Sequence, residues 1–286
     1  MVTSSTSGAA SGVQLPARVQ TYIEALVQTC AQDRSPLVSV VLFGSAAKGG
    51  FSGDVSDVDL IIVLPDDASR AKRRRLGVDV ARLEAFHGLR PATAHSPGAL
   101  RALFERVMSH GFSCFVCTRG DLISGDVARV LDLRPLETIF IDRIVFANII
   151  ASAVTVWGED LLPRVPVPSV RRLDVFKALF AFSGQVLLSA VMFPALPDAT
   201  KYAMGALKRS LHSCYFVYHG RTAALEEEVD FFRRLGASRT LAELLALRGQ
   251  YRRSFAFVIG CLPLLVRLHL RTARDNRFPR EAVPGG

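Results

Sequence analysis

Two short apolar runs, Val38 to Phe43 and Leu60 to Leu64, are rich in β-branched residues and flank a loop holding Gly49, Gly50 and Gly53. That pattern predicts strand, loop, strand. Ahead of it, apolar residues at 19, 23, 26 and 27 give Val19 to Ala31 a helical spacing. Pro65-Asp66-Asp67 closes the second strand, and Ser69 to Phe86 reads as a helix that is basic on one side. Leu89 to His95 has strand character, with Pro91 confining it to an edge. Ser96-Pro97 has the form of a helix start, opening a helix to about Met108. Phe112 to Thr118 is a further strand-like run, turned by Arg119-Gly120-Asp121.

From Leu136 the period changes. Ile139 to Val156 predicts a long amphipathic helix stopped at Gly158. Pro163, Pro166 and Pro168 make a stiff connector. Apolar helices then follow over 170–193, 199–218, 222–235 and about 238–272, the last with a break near Pro263. The layout is an α/β (α+β) half with a small mixed sheet, followed by an all-α bundle. Its expected divisions are a loose tail over 1–14, a first domain over 15–162, a linker over 163–169, a bundle over 170–272 and a basic tail over 273–286.

Composition narrows this further. Half of the 286 residues are hydrophobic and 21% are charged, which excludes a disordered chain and leaves room for two cores. The apolar stretches Ala178 to Phe193 and Phe255 to Val266 fall short of a membrane span, and buried bundle helices are the expectation. Met1 to Gly12 has neither the basic nor the apolar region of a signal peptide, so a cytoplasmic address is expected. Five scattered cysteines read as reduced core thiols, because Cys114 and Cys117 face opposite sides of a strand and have no second pair nearby. The net charge of +9, with clusters such as Lys72-Arg73-Arg74-Arg75, reads first as solvated helix faces and a basic tail, with a polyanionic partner as the sharper alternative that no RNA-binding pattern supports.

Asp57 and Asp59 stand two apart where the second strand begins. Side chains at i and i+2 leave a strand on one face, so the two carboxylates aim at one place. Like charges that close need a cation or a proton between them, and Mg²⁺ favours such oxygens together with substrate phosphates. Across the loop, Gly44 lets backbone approach a phosphate, and Ser45 offers a hydroxyl and an amide.

Gly44-Ser45, eleven residues and then Asp57-x-Asp59 heading an apolar strand resembles the signature of the DNA polymerase β-like nucleotidyltransferase superfamily. The resemblance implies that Ser45 contacts the phosphates of a nucleoside triphosphate and that Asp57 and Asp59 hold two Mg²⁺ ions. The long helix, the Trp157-Gly158-Glu159-Asp160-Leu161 stretch, the proline-rich joint and the helical second half look like the antibiotic adenylyltransferases, which move AMP from ATP onto a hydroxyl of an aminoglycoside. The family implies a third acid on a later strand, often the general base. The segment Leu89 to His95 holds none. Asp121 is the first substitute and Glu84 the second, with His95 as another base. In the helical half, Lys201 is the candidate for the β- and γ-phosphates. Glu226, Glu227 and Glu228 read as helix-start acids that favour the dipole. The expected activity is metal-dependent transfer of a nucleotide, AMP from ATP, to a hydroxyl of a small molecule, an RNA or a protein. A non-catalytic module that binds nucleotide or protein, and an RNA-directed transferase, are the alternatives.

Overall fold

The computed structural model describes residues 15–32, 36–47, 58–89, 114–132, 143–236, 239–276 and 278. Its contacts fall into two units: residues 1–134 with 152–167, and residues 135–151 with 168–286. The stretch 15–162 therefore includes a piece, 135–151, whose contacts lie with the second unit.

The first unit is built on strands β1 (Ser39–Phe43), β2 (Asp59–Leu64), β3 (Cys114–Thr118) and β4 (Val154–Gly158), in the order β3-β2-β1-β4. β1 pairs antiparallel with β2 and with β4, while β2 and β3 run parallel, so the sheet is mixed. Helices α1 (Ala17–Gln32) and α3 (Arg70–Phe86) cover one face. Val19, Tyr22, Ile23, Leu26 and Cys30 of α1 recur every three or four residues and pack with Val40, Leu42, Leu60, Ile62 and Leu64. The alternate residues Val41, Phe43, Ile61 and Val63 leave on the other face and are also buried, which accounts for the unbroken apolar reading of both strands. Ser69 caps α3 by accepting from the Lys72 N–H. At the other end of that helix, Arg18 donates to the carbonyls of His87 and Gly88 at 2.9 and 2.8 Å.

One expected element is corrected. The helix predicted over 139–156 is α6 (Arg143–Ser152), and residues from Val154 form β4 beside β1. Val154-Thr155-Val156-Trp157 is a β-branched, aromatic run, and burial against β1 outweighs the helical spacing that precedes it. Gly158 is accordingly a strand residue rather than a helix stop. It has φ +82°, and a Cβ there would strike the Val38 carbonyl oxygen.

The turn expected at Arg119 is two short helices, α4 (Arg119–Ser124) and α5 (Val127–Val130). The expected strand at 89–95 and helix at 96–108 lie outside the described residues, apart from Leu89, which is in a bend.

The second unit holds α6, α7 (Arg172–Val191), α8 (Ala199–His219), α9 (Leu225–Arg234), α10 (Arg239–Gly249) and α11 (Phe255–Asp275). Ala203, Leu207, Leu211 and Cys214 of α8 form the buried stripe that their spacing predicts. The last expected helix is divided at 250–254, where Ser254 caps α11 by accepting from the Phe257 N–H at 3.1 Å. Pro263 does not break α11. It lies on the exposed side, where the carbonyl left without an N–H partner can turn to water. α7 and α11, at 20 and 21 residues, are longer than the sequence stretches suggested and have the length and hydropathy of membrane spans. Each also gives a buried face to the helical core. Cys30, Cys117, Cys214 and Cys261 are buried free thiols, and burial pushes Cys117 up to about 12.

His269 sits inside this core with Nδ1 3.0 Å from the Leu265 carbonyl and 3.3 Å from Ser210 Oγ, while Nε2 has no partner. Burial pushes its pKa down to about 4, because a charged imidazole there would be desolvated. A folded pKa below the unfolded one, near 6.5, gives stability that is complete above pH 6.5 and is lost as pH falls toward 4. Urea titrations of the protein should show roughly 2 kcal/mol less stability at pH 5 than at pH 7 from this group alone. His269→Gln should flatten that part of the slope. In the first unit, Gly158→Ala should cost about 2 kcal/mol or more, read as a lower denaturation midpoint, since it combines a left-handed φ with a clash on β1.

Candidate active site

The antiparallel register of β1 and β2 sets Phe43 opposite Asp59. Gly44 follows Phe43 directly and opens the four-residue helix α2 (Gly44–Ala47) with φ +72°, a conformation that a residue with a Cβ adopts only at a cost. Glycine is needed here for a second reason as well. A Cβ on Gly44 would run into the Asp59 carboxylate, lying 3.0 Å from its Cγ and 3.3 Å from its Cβ. The bend and the acid thus occupy one place. Val58 packs in the same core as Leu60, so the strand's alternation reaches one residue before β2 and leaves Asp59 on the opposite face, with Ile61 and Val63. Asp57 and the side chain of Ser45 lie outside the described residues.

Asp121 requires a correction. The parallel register runs from Leu60 opposite Cys114 to Leu64 opposite Thr118, so Asp121 follows the far end of β3. Asp59 lies about 17 Å away along the strand direction, at five residues of roughly 3.3 Å each. The Asp121 carboxylate is also engaged locally. It accepts from the Thr118 N–H at 3.2 Å, completing a capping box on α4, and pairs with Arg73 at 3.2 Å. It cannot share a cation with Asp59.

Glu84, the second substitute, is likewise a core residue. It is buried on α3 and accepts from the Tyr22 hydroxyl at 3.4 Å, and burial beside it raises the Tyr22 phenol far above its usual range. Asp126 caps α5 through the Ala128 N–H at 2.9 Å. His95 lies outside the described residues.

The end of the sheet away from Asp59 is tied together by further acids. Asp66 accepts from the Gly120 N–H at 2.6 Å, and Glu159 after β4 pairs with Arg119 at 2.6 Å and with Arg164 at 3.5 Å. Asp160 accepts from the Thr155 hydroxyl at 2.7 Å. The Glu159-Asp160 pair was legible in the sequence as a motif, but its structural role was not. Among the described residues no group of three or more His, Cys, Asp or Glu side chains forms a metal cluster.

In the second unit, Lys201 stands in the first turn of α8, paired with Asp198 at 3.1 Å and set 4.9 Å from the centre of the Tyr251 ring. Glu226, Glu227 and Glu228 open α9, as expected of acids at a positive helix end. Each also has a side-chain partner, which the sequence did not reveal: Glu226 with Arg248, Glu227 with Arg221 and the Tyr215 hydroxyl, and Glu228 with His212 Nδ1 at 2.6 Å.

Residues 23–96 match the nucleotidyltransferase domain family. The matched stretch begins in α1 and contains β1, the Gly44 bend, β2 and α3. Among curated proteins, none matches the sequence significantly. By structure, the chain is similar to the crystal structure of spectinomycin adenyltransferase AAD(9) from Enterococcus faecialis with ATP and spectinomycin, at a TM-score of 0.53 and 9% identity. That likeness covers 91% of this chain and 100% of the other, and at such identity it is one of fold. The fold is that of a nucleotidyltransferase domain with a small mixed sheet, followed by a helical domain.

The placement of Asp121 makes it an acid of the fold, apart from the Gly44–Asp59 bend. Asp121→Ala should lower unfolding stability by about 1–2 kcal/mol through the lost cap and ion pair. Any nucleotide turnover of the folded variant should stay within about threefold of the parent.

Proposed function

We propose that this protein is a metal-dependent nucleotidyltransferase that moves AMP from ATP onto a hydroxyl of an acceptor and releases pyrophosphate. The observation that carries the reading is the juxtaposition of Gly44 and Asp59: a bend bare of side chain against a carboxylate at the mouth of β2. The nucleotidyltransferase match over 23–96 supports it, as does the fold shared with an enzyme whose structure holds ATP and spectinomycin.

Asp59 fits a hard divalent cation by the chemistry of its oxygens and by the space that the missing Cβ leaves for them. Asp57 and Asp59 would hold Mg²⁺, which when bound supplies positive charge against the triphosphate. The backbone at Gly44 and the hydroxyl of Ser45 would bind and orient the phosphates, leaving the α-phosphorus open to an acceptor oxygen in line with the departing pyrophosphate. The acceptor hydroxyl gives up its proton as the new P–O bond forms. A small-molecule acceptor suits the fold likeness best.

The second reading is a nucleotide-binding module without turnover, and the structural employment of both Asp121 and Glu84 favours it. Labelled ATP with Mg²⁺ and a panel of hydroxyl acceptors distinguishes the two. The enzyme reading expects pyrophosphate release, lowered at least about a hundredfold in Asp59→Asn and in Gly44→Ala, since several kcal/mol of charge stabilisation are lost. Tight ATP binding with no release across the panel would establish the module instead.

A further inference from the structure

The two long apolar helices of the second unit leave much of their surface uncovered. On α7, Leu173, Phe176, Phe180, Leu187 and Val191 recur at steps of three, four or seven residues and are between 41% and 73% exposed. On α11, Phe255, Ile259, Val266 and Leu270 do the same at 37–50%. α7 and α11 lie side by side and antiparallel: the Phe193 and Phe255 rings are 5.0 Å apart, and Phe182 meets His269 at 6.0 Å. The two stripes therefore border each other along one two-helix face.

We propose that this face binds the same face of a second copy of the chain, forming a four-helix contact about a twofold axis. Three observations select that occupant. The first is size: the nine side chains expose on the order of 800 Å², taking about 175 Å² for a whole side chain, which is what each partner gives to a stable interface and more than a monomer's usual apolar patch. The second is spacing. A stripe that returns every three or four residues on two antiparallel helices is self-complementary, since the ridges of one pair fit the grooves of another. An exposed glycine, Gly184, lies within the α7 stripe with open space around it, so helix backbones can approach closely there.

The third is charge. No charged residue occurs from Ala178 to Pro197 or from Ser254 to Val266. Lys177, Asp198, Arg253 and Arg267 bound these stretches, and the outer stripe residues Leu173, Phe176 and Leu270 lie beyond them among charged neighbours. A centre empty of charge with charged residues at its rim is the composition of a protein interface. In a twofold pair the charged residues stay at the solvated rim rather than facing each other across the apolar centre. The proposal does not depend on the reaction assigned to the first unit.

Sedimentation velocity of the full chain at about 1–50 μM tests it. The expected species has twice the 31.2 kDa chain mass. Phe180→Glu with Leu187→Glu should raise the dissociation constant at least about a hundredfold and give a monomer with an unchanged far-UV spectrum, both sites being exposed. Ile259→Glu, on the other helix, should do the same and serves if the double variant does not fold. A wild-type chain that stays monomeric at the highest concentration would overturn the proposal, as would a dimer that persists in the folded variants. A monomer that cosediments with phosphatidylcholine–phosphatidylglycerol vesicles would overturn it in favour of a lipid surface.

Discussion

The hydrogen-bonded register between β1 and β2 is the constraint on which the proposed chemistry depends. It pairs Phe43 with Asp59, and because Gly44 is the next residue, the chain must bend directly over the carboxylate. A slip of one residue would turn Asp59 into the core shared with α1 and α3 and bring Leu60 out beside the bend. The apolar side chains of both faces prevent that slip. Val40, Leu42, Leu60 and Ile62 fill one side, and Val41, Phe43, Ile61 and Val63 the other. Burial on both faces therefore does more than stabilise the sheet, because it fixes the position of a single acid.

Four described acids of the first unit, Asp66, Asp121, Asp126 and Glu159, lie toward the other end of the strands, and Glu84 is buried between α3 and α1. Asp66, Asp121, Asp126 and Glu159 each satisfy a backbone N–H or an arginine there, and Glu84 is held by Tyr22. A carboxylate that caps a helix and pairs with a guanidinium is stabilised where it stands, and moving it to a metal would expose an N–H and a charge together. Among the described residues, the division between Asp121, which holds the fold, and Asp59, set against the glycine bend, follows from which end of a parallel strand pair each occupies.

Much of this could be read from residues alone, and the failures have physical causes. The β-branched runs around residues 40 and 62 gave their strands because burial on both faces leaves no polar alternation to confuse the reading. The bend and Asp59 were expected together because Gly44-Ser45 and Asp57-x-Asp59 stand at the spacing of a known signature, and the structure adds that a Cβ at position 44 would meet Asp59. β4 was missed because Val154 to Trp157 follows ten residues of helical spacing, and only its partner β1, more than a hundred residues earlier, decides its conformation. Asp121 was misassigned for a related reason. Its distance from Asp59 depends on the parallel pairing of β2 and β3, which sequence spacing does not encode. The break expected at Pro263 moved to Ser254 because a capped start outweighs a proline whose ring points to solvent.

The late arrival of β4 has a consequence for the topology of the whole chain. Residues 135–151 serve the second unit before the chain returns to complete the first sheet, so the two units are joined by three covalent passages instead of one. No single scission, by a protease or by a gene fusion, yields two intact parts. A fragment ending before residue 152 leaves one margin of β1 open to pairing with foreign strands. A fragment ending at 167 carries α6 away from the apolar partners it packs against, Val175, Phe216 and Ala273. The first sheet can close only after the ribosome has made the α6 segment.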